Sequence, residues 1–205
     1  MRKIAVCVLG GLACLFVLVA PHAVLAEDAK NSVNLFVGGG GAGDSSGSLG
    51  GAEYERLLNR NLALLLRLYR LSYETDNSTW HEETTSGGGL DFGIRAYLSG
   101  NGFRGFYLGG NVGFGNVKSD WEDKEVPTFS PFRTGTLESS YGKIEFDLGG
   151  RFPLGRGPVS LTPSFHLGSY IGGDSECTYS NGTSCTKESS IGPYAFIGLS
   201  LGVAF

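Results

Sequence analysis

The chain has 205 residues, with 16 Lys and Arg against 20 Asp and Glu, giving a formal charge of −4. That length suits one domain or two, and the acidic balance argues against nucleic acid as the main partner. Glycine supplies 34 residues, well above the usual share of roughly 7%, but without a G-x-y period, which excludes collagen; the 12% aromatic content argues against disorder.

Residues 1–26 read as a signal peptide. Arg2 and Lys3 form a basic start, Ile4 to Ala20 is apolar, and Val24-Leu25-Ala26 offers short side chains at a cleavage site before Glu27. Pro21 and this site favour removal over a membrane anchor, although the apolar run approaches spanning length. A lipoprotein cut before Cys14 is disfavoured, because Gly11-Leu12-Ala13-Cys14 lacks the usual Leu three residues ahead. Cleavage leaves 179 residues, 27–205, as one domain with a charge of −6. It also leaves Cys177 and Cys185 as the remaining cysteines, and two cysteines in an exported chain predict one disulfide.

From Glu27 onward the sequence alternates with a period of two, the signature of strands. Residues 33–41 set Val33, Leu35 and Val37 against Asn34 and Phe36. Residues 49–58 set Ala52, Tyr54 and Leu58 against Glu53, Glu55 and Leu57. In residues 62–73 Leu62, Leu64, Leu66 and Leu68 oppose Ala63, Leu65, Arg67 and Tyr69, with a weaker pattern beyond Tyr69. Residues 89–99 place Leu90, Phe92, Ile94, Ala96 and Leu98 opposite Asp91, Arg95 and Tyr97. Residues 105–117 place Phe106, Leu108, Val112 and Phe114 opposite Tyr107, Asn111 and several glycines. Residues 141–152 alternate Ile144, Phe146, Leu148 and Phe152 with Tyr141, Lys143, Glu145, Asp147 and Arg151. Residues 158–171 alternate Val159, Leu161, Phe165, Leu167 and Ile171 with Ser160, Thr162, Ser164, His166 and Tyr170. Residues 191–205 carry Ile197, Leu199, Leu201, Val203 and Phe205 on one face and Tyr194, Phe196 and small residues on the other.

Eight segments result. Their connections alternate between short turns at 59–61, 100–104 and 153–157 and longer polar loops at roughly 42–48, 74–88, 118–138 and 172–190. An even strand count with short turns on one side and long loops on the other is the plan of a bacterial outer-membrane barrel. The expected fold is all-β: an eight-stranded, antiparallel, up-and-down transmembrane β-barrel with both termini in the periplasm.

A soluble, lipocalin-like ligand-binding barrel shares this periodicity but turns its apolar face inward. Side-chain size decides between them. An eight-stranded lumen is just filled by side chains. The apolar face here is bulky and continuous, whereas the opposite face mixes small residues with five acids (Glu53, Glu55, Asp91, Glu145, Asp147) and four bases (Arg67, Arg95, Lys143, Arg151). Near-balanced charges can pair inside a narrow bore, while unpaired ones are costly there. These nine residues and His166 are therefore expected to form a lumen charge network. Phe103, Phe106, Phe152 and Phe205 near the short turns, and Tyr73, Trp80, Trp121, Tyr141 and Tyr170 near the long loops, are expected to form two aromatic girdles at the membrane interfaces.

The signal peptide, the Gly51-Ala52-Glu53-Tyr54-Glu55 stretch and the final strand Tyr194 to Phe205 resemble the small OmpA/OmpX-type outer-membrane barrels over residues 33–205. The resemblance implies that Phe205, with alternating apolar residues before it, is read as the signal of the barrel-assembly machinery. It also implies outer-membrane lipid and lipopolysaccharide as surroundings. The periplasmic peptidoglycan-binding domain of larger relatives is not expected. Function does not follow from such a fold; a structural or surface-interaction role, with a lumen closed to general traffic, is the expectation.

Chemical motifs are sparse. Gly38-x-Gly40-x-x-Gly43 lacks the helix that a dinucleotide site needs. Gly43-Asp44-Ser45-Ser46-Gly47 matches a nucleophile elbow by letter but sits in a Gly/Ser loop. The enzymatic alternative is a lipid A acyl-modifying site pairing Ser45 with His81, oriented by Asp44 or Asp120. His166 is followed by Leu167 and Gly168, so no His-x-Ser pattern is present, and Thr85 spoils His-Glu-x-x-His. No catalytic residue, cofactor or metal is expected, and a monomer is. The four long loops together carry −9, an acidic crown that should repel polyanions such as heparin or DNA.

Overall fold

The computed structural model describes residues 29–43, 45–77, 81–98, 102–128, 130–185 and 192–205. The expected signal peptide, Asp44 and Trp80 lie outside them. The described residues form nine strands: β1 (Asn31–Ala42), β2 (Ser45–Leu57), β3 (Leu62–Asn77), β4 (His81–Tyr97), β5 (Gly105–Asp123), β6 (Thr134–Pro153), β7 (Val159–Tyr179), the two-residue β8 (Ser184–Cys185) and β9 (Pro193–Ala204). Neighbours in sequence pair antiparallel from β1 to β7, β7 pairs with β9, and β9 pairs with β1. Eight of these strands therefore close a ring, so each wall strand has a partner on both sides, which is how a sheet satisfies its backbone groups in lipid. The short β8 lies outside the ring and pairs with β7 at Cys177 and Thr178.

The alternation read from the sequence sets inside and outside. On β6, Ile144, Phe146 and Leu148 are 45%, 67% and 49% exposed, whereas Lys143, Glu145 and Asp147 between them are at most 3% exposed. The outward apolar belt on β5 runs from Phe106 to Phe114 and then gives way to exposed Asn116, Lys118 and Asp120. That stretch is about 26 Å along the strand, which at the usual tilt of roughly 35–45° spans about 20 Å of the ~25 Å apolar band in outer-membrane barrels. On β3 the belt ends where Leu68 is followed by exposed Arg70.

The lower turns are tight. Asn59 Oδ1 accepts the backbone N–H groups of Asn61 and Leu62 at 2.9 Å each, and Gly155 supplies a φ of +78°, a conformation that costs glycine nothing. The chain's end lies at this same pole, where Lys30 and Asn31 donate to the Phe205 carbonyl at 3.2 and 2.9 Å. At the opposite pole the strands run farther than the sequence pattern suggests. Most of the polar stretches 74–88, 118–138 and 172–190 continue the ladders rather than looping, up to His81↔Asp123, Glu122↔Thr134 and Gly135↔Tyr179. β1 and β2 meet at Ala42↔Ser45. With β5, β6 and β7 at 19, 20 and 21 residues, against about 9–11 for a membrane crossing, the wall from β4 to β7 stands well above the rim of β1, β2 and β9.

Cys177 and Cys185 form a disulfide across β7 and β8, with Cα atoms 5.0 Å apart. Alkylation of unfolded, unreduced protein is expected to label neither cysteine, and labelling of both only after reduction. Free thiols before reduction would contradict the bond.

Candidate functional site: the bore and its mouth

Each inward-facing charge arrives by strand parity, and the register brings them to one level. Glu53 on β2 lies opposite Arg67 on β3, which lies opposite Asp91 on β4. Asp147 on β6 lies opposite His166 on β7. The ten residues Glu53, Glu55, Arg67, Asp91, Arg95, Lys143, Glu145, Asp147, Arg151 and His166 are all at most 4% exposed.

Arg67 sits at the centre. Its Nε donates to Glu53 at 2.8 Å, and its Nη1 to Glu145 at 2.5 Å and Asp91 at 3.3 Å. Arg95 grips Asp147 through Nε at 2.8 Å and Nη2 at 2.7 Å, and reaches Glu55 at 2.9 Å and Glu53 at 3.1 Å. Lys143 bridges Asp91 at 2.7 Å and Glu145 at 3.2 Å. Arg151 donates to Glu55 at 3.3 Å, to Ser160 at 2.8 Å and to Asn34 and Ser32. Five carboxylates against four cations leave an excess of acid, which neutral donors serve. Tyr97 donates to Glu55 and Tyr194 to Glu145, both at 2.7 Å. Asn34 and Asn111 donate to Glu55 and Glu145 at 2.9 and 3.2 Å. His166 Nδ1 lies 3.0 Å from Glu145, and its Nε2 lies 2.8 Å from Ser164. In a low-dielectric interior this dense pairing is what makes the charges tolerable.

Aromatic layers lie above and below. Phe36, Tyr69, Tyr73, Tyr141, Tyr194 and Phe196 cluster on the tall-wall side, and Tyr97, Phe103 and Tyr107 on the short-turn side. The cations stack on them: Lys143 lies 4.2 Å from the Tyr69 centroid, Arg95 4.6 Å from Tyr107 and Arg151 4.8 Å from Phe103, geometry that favours a cation over a ring face. This corrects the expected girdles. Phe106 and Phe152 do face outward, at 60% and 45% exposed, with edge-to-face rings 6.1 Å apart. Phe103, Tyr73 and Tyr141 are buried inside, and Tyr170 packs against the inner cluster. Tyr73, Tyr141 and Tyr170 share strand parity with the charges, and that parity overrides the general preference of aromatics for interfaces. Inward glycines give the rings and carboxylates room: a methyl group at Gly109 would strike the Asp147 carboxylate, and one at Gly168 the Tyr194 ring. Asn34, Tyr97 and Tyr194 join the network as neutral members that a search for charged residues passes over, although their parity alone places them there.

Of the residues of the enzymatic alternative, the two whose side chains are described, Ser45 and Asp120, stand apart. Ser45 Oγ pairs with Thr75 Oγ1 at 2.5 Å and lines the mouth of the bore, whereas exposed Asp120 points to the other side of the wall. Asp44 and the His81 side chain lie outside what is described. Among the described residues no three His, Cys, Asp or Glu side chains are arranged to hold a metal ion.

No family model matches the sequence, and no curated protein matches it. Solved structures do match in shape. The attachment invasion locus protein Ail of Yersinia pestis is 10% identical with a TM-score of 0.52, over 86% of this chain and 99% of that one. A major outer membrane protein of Thermus thermophilus is 13% identical with a TM-score of 0.56, over 85% and 99%. Ail in complex with the heparin analogue sucrose octasulfate gives 10% identity and a TM-score of 0.50, over 86% and 97%. At such identities the likeness concerns architecture, and it agrees with the ring of strands and the outward apolar belt: the chain has the fold of the eight-stranded outer-membrane β-barrels.

Proposed function

We propose that this protein resides in a bacterial outer membrane, with residues 1–26 removed, both termini in the periplasm and the tall β4–β7 wall outside the cell. It acts there as a structural or surface-interaction barrel and neither as a general porin nor as an enzyme. The observation that carries this reading is the burial of all nine charged side chains and His166 in the bore, none more than 4% exposed, between two aromatic layers. A bore so occupied leaves the outer end as the working surface. Lipid and lipopolysaccharide contact the belt, Phe205 serves as the assembly signal, and the barrel works as a monomer.

Planar-bilayer recording tests closure. The purified protein is expected to give no stable open-pore steps; porin-sized conductance would overturn the reading. The crown separates this chain from Ail, whose structure includes a heparin analogue. Glu82 and Glu138 pair with Lys124 and Lys118 at 3.2 and 2.9 Å, and Asp120 and Glu176 are exposed on the same tall wall; the net negative charge of this crown opposes a sulfated glycan. The protein is expected to flow through a heparin column at physiological salt, and retention would contradict the acidic-crown argument.

A further inference from the structure

Above the upper aromatic layer the bore opens into a cup of about 120 Å³. Its floor is made by Tyr73, Tyr141, Tyr170 and Leu71. Its walls alternate hydroxyls with apolar side chains: Ser45 pairs with Thr75 at 2.5 Å and Thr85 with Ser119 at 2.6 Å across strands, Ser139 donates to Ser175 behind the lining at 3.0 Å, and Ala42, Val117 and Leu137 fill the spaces between. Tyr73 and Tyr170 pair their own hydroxyls at 2.7 Å.

The chemistry of these pairs selects a ligand. When two hydroxyls share one hydrogen bond, one proton is used and the other remains to be donated, and lone pairs remain to accept; at Thr85 that second proton is aimed at Glu83, at a long 3.5 Å. The cup therefore offers donors and acceptors together. A guest with both hydroxyls and an apolar face matches such a lining, its hydroxyls exchanging bonds with the pairs and its C–H face meeting Leu71, Val117 and the rings. Among the described residues no Lys or Arg lines the cup to hold an anion, and Glu83 is the one lining carboxylate. The floor is a set of ring faces and edges, against which the C–H face of a sugar packs. The volume holds about four waters at ~30 Å³ each, so the cup takes in one edge or face of a single six-membered ring, with the rest of the ring standing in the open mouth, and has no room for an oligosaccharide.

We propose that this cup binds a single neutral sugar ring. The ring stacks on Tyr73 and Tyr170, and its hydroxyls exchange hydrogen bonds with the Thr85–Ser119 and Ser45–Thr75 pairs. The proposal rests on the reading that this pole faces outward only for its biological source of sugar. That source is either a free glycan or the terminal sugar of a neighbouring lipopolysaccharide.

The test uses full-length mature protein refolded in a zwitterionic detergent free of sugar headgroups, so membrane location does not enter. Saturation-transfer NMR with neutral methyl hexosides is expected to show transfer from tyrosine ring protons to the sugar C–H protons. Ser119→Leu and Ser139→Leu, each of which fills the cup, are expected to weaken binding at least tenfold, while Thr136→Val on the wall's outer side leaves it unchanged. Folding of each variant is checked by heat-dependent gel mobility. If neither variant folds, the tyrosine-selective transfer in the wild type decides. Absence of transfer from every neutral hexoside, equal binding by the filled variants, or preference for sulfated sugars overturns the proposal. Competition between methyl hexosides and core oligosaccharide released from lipopolysaccharide assigns the source, and binding of either supports the cup. A porin-like conductance with sugar binding intact would sink the closed-barrel reading and leave this one standing.

Discussion

Arg67→Met is expected to cost the folded barrel about 3–5 kcal/mol, the range for removing one partner of a buried ion pair. The methionine keeps the site apolar and filled but strips the shared cation from Glu53, Glu145 and Asp91, which lie 2.8, 2.5 and 3.3 Å from the guanidinium nitrogens. The penalty comes from carboxylates left buried without a counter-charge rather than from lost packing. Adding Glu53→Gln and Glu145→Gln to the same chain removes those charges and is expected to recover part of the loss, as coupled sites do. Urea titration in lipid vesicles, read by the folded and unfolded gel bands, gives both numbers. A single variant within about 1 kcal/mol of wild type, well under the cost of breaking a buried pair, or a triple variant weaker than the single, would contradict a network held by mutual pairing.

Phe146→Arg addresses the other face. Phe146 is 67% exposed and lies in the middle of the outward belt, between Ile144 and Leu148. A cation near the bilayer midplane costs a barrel about 2–4 kcal/mol, falling to about 0–1 kcal/mol near the interfaces. The same substitution at Phe152, close to the short turns, is therefore expected to cost less. Equal penalties at the two sites, or none at Phe146, would mean that the belt does not meet lipid.

The strands and their faces are legible in the sequence because two residue classes alternate. On β6, Lys143, Glu145 and Asp147 interleave with Ile144, Phe146 and Leu148, and no helix yields that contrast. The upper walls are not legible as strands because the contrast disappears there. Thr84, Thr85, Ser86 and the glycines of β4 place polar or small groups on both faces, so a paired strand above the membrane reads like a loop. The aromatic layers are legible in part. Parity places Tyr97, Tyr107, Tyr141 and Tyr170 with the charges, whereas the girdle assignment for Tyr73, Tyr141 and Tyr170 rests on closeness to the loops, and closeness says nothing about direction. The sugar cup is illegible, because hydroxyl residues suit either face and only the register of several strands shows which of them meet.

The lipid-facing orientation of the belt can be measured in one variant. Trp80 and Trp121 are replaced with Phe, and a single Trp is placed at Phe146. The protein is then folded into bilayers whose acyl chains carry bromine. Strong quenching of the new tryptophan by the brominated lipid, with little quenching by aqueous acrylamide, is the expected result. A tryptophan untouched by bromine and quenched by acrylamide would mean that the apolar belt lies in water.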